Sequence, residues 1–227
     1  MSHEIRTPLN AIIGFSDAML AGVGGEVRGH KHKEYLTDIK TSGEHLSTVI
    51  KDILDLSKIE AGKWRLDEQV FPIAECLNET IKMLNPQAES KNINITLEGQ
   101  DKELSLNIKG DIHAFKRVFI NLISNSIKFT AENGNIKCRI IRERNGKVTL
   151  EIEDNGIGIP EDRLEHVLHP FEQAQADQEL NEDGTGLGLP IVLNLIELHG
   201  GSFALESELS VGTKAIISIP SSRIVFQ

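Results

Sequence analysis

The stretch that decides the fold is DIHAFKRVFINLISNSIKFT, which occupies residues 111–130. Asp111 is a good N-cap, because its carboxylate can accept the free N–H groups of a first helical turn, and we predict a helix over the rest of the stretch. Asn121, Asn125 and Lys128 follow one another at spacings of four and three residues, so they project from one face of that helix. Asparagine carbonyls suit Mg²⁺ and a lysine ammonium suits phosphate, although a solvated polar stripe would give the same pattern.

On both sides of this helix, helical patterns alternate with strand patterns. Further helices are predicted over residues 73–90 and up to His199. Alternating apolar residues predict strands over residues 93–97, 104–108, 136–140, 148–152, 202–206 and 214–219, with a turn at Asn145 and Gly146. Strands with one polar face, mixed with helices, indicate an α+β sandwich. A loop from Asp154 to Gly184 is long enough for a functional lid.

The first 63 residues are predicted to form a helical hairpin, connected at residues 22–29. The spacing of apolar and small residues is that of a bundle seam: Ile5, Leu9, Ile12, Ser16 and Met19, then Leu36, Ile39, Gly43, Leu46, Ile50 and Ile53. Two helices cannot enclose a core, so we expect a four-helix bundle made by a homodimer. Because the helical spacing of apolar residues is already present where the chain begins at Met1, we also expect that an upstream segment is missing.

Composition excludes several classes of function. The 227 residues carry 24 Lys and Arg against 34 Asp and Glu, a net charge of −10, and only 4% are aromatic. These values argue against non-specific binding to nucleic acid or to an anionic membrane, which depends on basic and stacking residues. Cys76 and Cys138 lie far apart and are expected to be buried free thiols in a reducing compartment. No apolar stretch reaches the roughly 18 residues that would span a bilayer, so we expect this part not to be membrane-embedded.

Two glycine motifs could shape a ligand site. DNGIGIP at residues 154–160 follows a predicted strand, and its glycines would let backbone approach a ligand, while Asp154 could accept from an adenine amino group. GTGLGLP at residues 184–190 opens a helix, where free N–H groups form an anion cradle. Each could instead be an ordinary turn or a hinge. Together with the Asn121 helix, in this order and with a lid between the last two, they are a strong signal.

A fourth motif, SHEIRTPLN at residues 2–10, carries His3 on the first helix. Glu4 could accept the ring proton of His3 and leave the other nitrogen nucleophilic. Pro8 lacks the N–H that would bond the Glu4 carbonyl, so a kink is expected beside the histidine. The alternative is a surface histidine near a chain end.

These motifs resemble the boxes of the histidine protein kinases of two-component signalling, over nearly the whole chain. The H box corresponds to residues 2–15, the N box to 121–130, the G1 box to 154–160, the F box to 169–172 and the G2 box to 184–189, while LDLSKIEAGK at 54–63 is similar to the end of the family's second bundle helix. The resemblance implies a dimerisation and phosphotransfer hairpin over residues 1–63. It also implies an ATP-binding two-layer α/β sandwich of Bergerat (GHKL) type over residues 64–227.

The resemblance also implies roles for single residues. His3 would be the phosphoacceptor, Glu4 the general base that activates it, and Thr7 the residue that places a hydrolytic water if the protein also dephosphorylates its response regulator. Asn125 would hold Mg²⁺, and Asp154 would read adenine. The residues expected to bind the nucleotide are Asn121, Asn125, Lys128, Phe129, Asp154, Gly156, Gly158, Gly184, Thr185, Gly186, Leu187 and Gly188.

The function expected from the resemblance is ATP-dependent autophosphorylation on a histidine, followed by transfer to an aspartate of a response regulator in the cytoplasm. The expectation also allows for a parent protein that is anchored in the membrane through a region upstream of this chain. Ser126 stands where alanine is commoner, and Pro190 where many members have a small helix former; we expect neither to touch a chemical role. The alternatives are another ATPase with the Bergerat fold and a docking module that performs no chemistry.

Overall fold

The computed structural model describes residues 2–23, 30–173 and 185–225, and it gives the backbone alone for residues 2–8, 30–31 and 101–102. The chain divides into two compact units, Met1–Trp64 and Arg65–Gln227. No helix in the described part is both long enough and apolar enough to cross a membrane.

The first unit is the predicted helical hairpin, with α1 (Ser2–Leu20) and α2 (His30–Glu60). Most of the predicted connection at 22–29 lies outside the described residues. Gly43 on α2 allows a close approach, because a Cβ there would lie 2.9 Å from Cγ1 of Ile13. Beyond α2, Gly62 has a φ of 63° and the chain ends the helix with a bond from the Lys63 N–H to the Lys58 carbonyl. Several residues of the predicted seam are exposed in the single chain: Ile12, Met19, Ile39, Leu46 and Ile53.

The second unit contains most of the predicted helices and strands, together with short elements that the sequence did not reveal. In chain order these are β1 (Glu68–Pro72), α3 (Ile73–Ser90), β2 (Asn94–Glu98), α4 (Asp101–Leu104), β3 (Asn107–Asp111), α5 (Ile112–Phe129), β4 (Asn135–Arg142), β5 (Val148–Asp154), 3₁₀ turns at Glu161–Arg163 and His166–Leu168, α6 (Gly188–Leu198), β6 (Ser202–Glu208), β7 (Gly212–Ile219), a 3₁₀ turn at Ser221–Arg223, and β8 (Ile224–Val225).

A five-stranded sheet in the order β2-β4-β5-β7-β6 forms one layer of the sandwich. Strand β2 pairs with β4 in parallel, and the other pairs are antiparallel. The predicted alternation is confirmed, since one face of the central strands is buried: Ile136, Cys138 and Ile140 on β4, Val148, Leu150 and Ile152 on β5, and Ala215, Ile217 and Ile219 on β7. Burial raises the pKa of the Cys138 thiol to about 12, and the pKa of Cys76 on α3 is raised to about 12 for the same reason.

The predicted start of the strand over residues 104–108 is wrong. Leu104 ends the short helix α4, whose Glu103 and Leu104 N–H groups donate to the Gln100 carbonyl, and the strand begins only at Asn107. The sequence did not indicate which sheet this strand joins, and β3 is not part of the five-stranded sheet. It lies in the middle of a separate three-stranded sheet, β1-β3-β8, whose outer strands were not predicted because they are short and lack a clear alternation.

His199 joins this small sheet to the helices. Its ring is only 3% exposed; Nδ1 donates to the Leu195 carbonyl at 2.7 Å, and Nε2 accepts from the Asp111 N–H at 3.0 Å. The ring can make both bonds only when it is neutral, because a protonated ring has no acceptor. Burial lowers the pKa of His199, while the bond to Leu195 opposes that shift. The neutral ring therefore fixes the N-cap residue from which α5 starts.

The lowered pKa of His199 predicts a pH dependence of stability. The unfolded chain takes up a proton near the ordinary histidine pKa of about 6.5, whereas the folded chain resists it. The free energy of unfolding should therefore fall as pH decreases below about 6.5, by at most about 1.4 kcal/mol per pH unit from this one group. Urea unfolding between pH 7.5 and pH 5.5 measures the slope.

The variant His199→Gln has no titrating ring and should show a flatter slope than the wild type over that range. The control is His113→Gln, which removes an exposed histidine of α5 and is expected to keep the steeper slope. Equal slopes for the wild type and His199→Gln would contradict the assignment.

Candidate functional site

Helix α5 forms one wall of the candidate site. Asn121, Asn125 and Lys128 lie half-buried along one face, as their spacing predicted. Both ends of the helix are held: the Asp111 carboxylate accepts from two N–H groups of the first turn, at 2.9 and 3.1 Å. At the other end, the Lys91 ammonium donates to the carbonyls of residues 127 and 128, at 3.2 and 2.9 Å. A cation there also interacts favourably with the helix dipole. The polar face is thus carried on a helix that is fixed at each end.

Asp154 lies at the end of β5, next to that helix. Its Oδ1 accepts from the backbone N–H of Gly156 at 3.0 Å and of Thr213 at 3.2 Å. Its Oδ2 accepts from the Ser126 hydroxyl at 2.9 Å. The carboxylate therefore ties together α5, the turn that follows β5, and β7.

The electrostatic setting of Asp154 reflects two opposed effects. Burial raises the pKa of Asp154, and the hydrogen bonds from Gly156, Ser126 and Thr213 act to lower it. When ionised, the group can only accept hydrogen bonds, so a ligand that meets it must present a donor. An amino group on a heteroaromatic base is a donor of this kind.

The turn after β5 rests directly on the end of α5. The N–H of Ile157 donates to the Phe129 carbonyl at 3.1 Å, and a Cβ on Gly156 would lie 2.5 Å from that same oxygen. Glycine is required at 156 because any side chain would push the turn away from the helix. Phe129 is exposed, and the Lys128 ammonium lies 4.9 Å from the centroid of its ring.

On its other side the same turn contacts the β6–β7 hairpin. Gly158 has a φ of 72°, and a Cβ there would lie 2.0 Å from the Glu208 carbonyl oxygen. The Ser210 N–H donates to the Ile157 carbonyl at 2.7 Å, and the Ile159 N–H donates to the Ser207 hydroxyl at 2.8 Å. The two glycines of this motif therefore serve backbone packing on opposite sides of one turn.

The motif at the start of α6 also reaches the site. Gly188 faces Asn121, since a Cβ on Gly188 would lie 3.5 Å from the Asn121 side-chain oxygen. Gly186 has a φ of 66°, and its carbonyl accepts from the Phe171 N–H at 3.0 Å. The Leu187 side chain is fully buried, so only its backbone could meet a ligand.

The structure describes the remaining predicted site residues only in part. Thr185 accepts from the Leu187 N–H through its hydroxyl at 3.2 Å, whereas Gly184 lies outside the described residues. His3, Glu4 and Thr7 belong to the other compact unit, on α1, and their side chains are outside the described part.

Three residues of the site were not identified from the sequence. The expectation that Ser126 touches no chemical role needs correction, because its hydroxyl bonds directly to the Asp154 carboxylate. The departure from alanine was a visible signal, but the partner lies 28 residues away. Thr213 and Lys91 contribute through a backbone N–H and a long side chain, for which no local pattern exists.

The packing of Gly158 predicts a large loss of stability in Gly158→Ala. Alanine in the left-handed region costs about 1–2 kcal/mol by itself, and at this position its Cβ would also collide with the β6 backbone. We expect the free energy of unfolding to fall by more than about 3 kcal/mol, measured by urea denaturation.

Gly146→Ala is the matched control, because Gly146 has a similar φ of 83° but the nearest atom to an added Cβ, on Ser221, is 3.4 Å away. Only the backbone cost of about 1–2 kcal/mol is expected there. Equal losses in the two variants would mean that the contact between this turn and β6 is not tight.

Comparisons with known proteins match both units. Residues 110–223 match the family "Histidine kinase-, DNA gyrase B-, and HSP90-like ATPase", and residues 1–62 match the "His Kinase A (phospho-acceptor) domain". A relative described as an uncharacterized sensor-like histidine kinase of Rhizobium meliloti (strain 1021) is 40% identical over 221 residues, 97% of this chain. The match covers 42% of that relative, so the chain spans less than half of its length.

Two solved structures support the same assignment. The crystal structure of full-length ShkA in complex with AMPPNP is similar with a TM-score of 0.79 and 26% identity, over 96% of this chain and 44% of that one. The histidine kinase ThkA, crystallised in complex with the response regulator protein TrrA, has a TM-score of 0.67 and 29% identity, over 96% of this chain and 59% of that one. These likenesses confirm the predicted Bergerat-type sandwich. The chain belongs to the histidine kinase family, in the branch of ATPases that also includes DNA gyrase B and HSP90.

Proposed function

We propose that this chain phosphorylates itself on His3 with ATP and passes the phosphoryl group to an aspartate on a response regulator. The observation that carries the proposal is the Asp154 carboxylate, which is held by donors on both oxygens beside the polar face of α5. Residues 1–63 would act as the dimerisation and phosphotransfer domain, and residues 64–227 as the ATP-binding domain. A cytoplasmic location suits both a supply of ATP and a response regulator partner.

In the ATP-binding domain, Asp154 would accept a hydrogen bond from the adenine amino group. Asn121 and Lys128 would contact the phosphates, and Phe129 would lie beside the base with its exposed ring. The glycines 156, 158, 184, 186 and 188 would shape the pocket and its cover, with Thr185 and Leu187 contributing through the loop that opens α6.

The residues present also suit Mg²⁺. This ion usually keeps several waters and binds through one or two protein oxygens together with substrate phosphates. Asn125 offers one amide oxygen on the face that would hold the phosphates, and among the described residues no cluster of three carboxylate, histidine or cysteine side chains competes as a metal cage. When bound, Mg²⁺ would neutralise charge on the phosphates; Asn125 would position it.

In the transfer step, an unprotonated imidazole nitrogen of His3 attacks the γ-phosphorus of ATP. A P–N bond forms as the bond from that phosphorus to the β–γ bridging oxygen breaks, and ADP leaves with the bond's electrons. Glu4 accepts the proton from the other ring nitrogen and keeps the attacking nitrogen nucleophilic. In a separate reaction, Thr7 would position the water that hydrolyses the phosphoryl group from the response regulator.

The helical hairpin suggests a homodimer. Exposed apolar side chains at Ile12, Met19, Ile39 and Leu46 follow the predicted seam, and a second copy could bury them in a four-helix bundle. For the partner, the solved complex of the similar kinase ThkA with a response regulator supports a receiver domain as the acceptor.

Incubation with Mg²⁺ and γ-labelled ATP tests the proposal. The wild type should take up label that is labile in acid and stable in base, as expected of a phosphorus–nitrogen bond, and His3→Gln should take up none. His45→Gln, an exposed histidine on α2, is the matched control and should be labelled like the wild type. Label that persists in His3→Gln would place the acceptor elsewhere, and a wild-type chain that binds ATP without any label would contradict the catalytic half of the proposal.

The variant Asp154→Asn separates nucleotide binding from folding. Because the folded pKa of Asp154 is raised by burial, the group contributes stability only while protonated and loses it as pH rises through that pKa. At pH 7 the neutral asparagine should therefore give an equal or higher free energy of unfolding without nucleotide. Its amide would present an N–H towards the adenine amino group, so ATP affinity should fall by about tenfold or more.

Calorimetric titration with ATP and urea unfolding at pH 7 measure the two effects. Unchanged ATP affinity in Asp154→Asn would contradict the role given to this carboxylate. A large loss of stability in the same variant would show instead that the ionised group supports the fold.

A further inference from the structure

The hydroxyl of Ser126 has an unusual partner for a serine in a helix. Serine and threonine hydroxyls inside helices commonly donate to the carbonyl four residues earlier, as Ser16 does to Ile12 at 2.9 Å and Thr80 does to Cys76 at 3.0 Å. Ser126 is only 6% exposed, and its hydroxyl donates to the Asp154 carboxylate at 2.9 Å, on a different element. The contact is therefore not a local one imposed by the helix.

The three donors on Asp154 divide unequally between its oxygens. Backbone N–H groups of Gly156 and Thr213 both reach Oδ1, and they belong to the main-chain framework of the turn and of β7. On Oδ2, within the described part of the chain, the donor is the Ser126 hydroxyl. Removing that hydroxyl would take away the donor that the described residues supply to Oδ2, and both donors on Oδ1 would remain.

The distribution of donors between the two oxygens determines how firmly the plane of the carboxylate is held. Rotation about the bond to the carboxyl carbon is soft, and the two oxygens turn together, so the donors on Oδ1 and the donor on Oδ2 act jointly to fix the plane of the group. Each oxygen can accept about two hydrogen bonds. With one position on Oδ2 taken by Ser126, the second position has a defined direction and remains for a ligand.

We propose that Ser126 is a positioning residue that, together with the N–H groups on Oδ1, fixes the plane of the Asp154 carboxylate and thereby strengthens the preference of this site for adenine over guanine nucleotides. The inference rests on the proposed function, because it takes Asp154 to be the group that meets the base. Adenine carries an amino donor at the relevant ring carbon, whereas guanine carries a carbonyl acceptor there. A carboxylate held in this plane bonds the amino group and repels the carbonyl, whereas a carboxylate with one restraint fewer discriminates less between the two bases.

The test is Ser126→Ala, which removes one oxygen atom and introduces the residue that is commoner in the family at this place. Alanine is also the strongest helix former, so the helix should be retained. The dissociation constants of ATP, ADP and GTP are measured by calorimetry with Mg²⁺ present. We expect the constants for ATP and ADP to rise by the same factor, about threefold to tenfold, and the constant for GTP to change little.

A kinetic readout distinguishes positioning from a general structural effect. Labelling with ATP should show a raised KM and an unchanged kcat at saturating ATP, because the phosphates and His3 are not affected. The control is Thr80→Val, which removes another buried hydroxyl bond, remote from Asp154 along the chain, at nearly the same volume. It should leave the ratio of ATP to GTP affinity unchanged, and unfolding midpoints without nucleotide check that both variants are folded.

The failure of this inference and that of the proposed function give different results. If the wild type binds ATP but Ser126→Ala keeps the wild-type ratio of ATP to GTP affinity, or weakens both nucleotides equally, the role of Ser126 is overturned and the proposed function stands. If the wild type binds no ATP, the proposed function is overturned, and this inference with it.

Discussion

The proposed nucleotide site depends above all on the hydrogen bonds to the Asp154 carboxylate. Asp154 ends β5, and its oxygens accept from the Gly156 N–H in the following turn, the Thr213 N–H in β7 and the Ser126 hydroxyl in α5. One side-chain group therefore connects three elements that come from distant parts of the sequence. Burial of an ionised carboxylate is unfavourable, as the raised pKa reflects, and these donors offset part of that cost. A group held in this state is prepared to accept one more hydrogen bond, from a ligand.

Close backbone contact is the second constraint, and it explains why the motif around Asp154 is rich in glycine. A Cβ on Gly156 would meet the Phe129 carbonyl, one on Gly158 the Glu208 carbonyl, and one on Gly212 the Asp154 carbonyl itself, at 2.5, 2.0 and 2.0 Å. The end of β5 is thus enclosed by main chain on several sides. Such packing leaves no space for side chains, and it holds the turn rigid enough for its N–H groups to orient the carboxylate.

A feature of the fold or site could be predicted from the sequence only where its residues lie close together along the chain. The N-cap role of Asp111, the polar face of α5 and the alternation of the central strands are local patterns, and the structure confirms them. The strand predicted at Leu104 was wrong because a single helical turn also suits that residue, and the small sheet was missed because its outer strands are short. The Ser126 and Thr213 bonds to Asp154 span 28 and 59 residues, so only the folded chain brings those partners together.

The measurement that tests the central claim most directly is a crystal structure of this chain with AMPPNP and Mg²⁺. The account predicts the adenine amino nitrogen within hydrogen-bond distance of Asp154 Oδ2, with the Gly156 and Thr213 N–H groups still on Oδ1. It also predicts the phosphates along the α5 face, with Asn125 at the metal. A base bound away from Asp154, or a carboxylate rotated out of its present hydrogen bonds, would contradict the account.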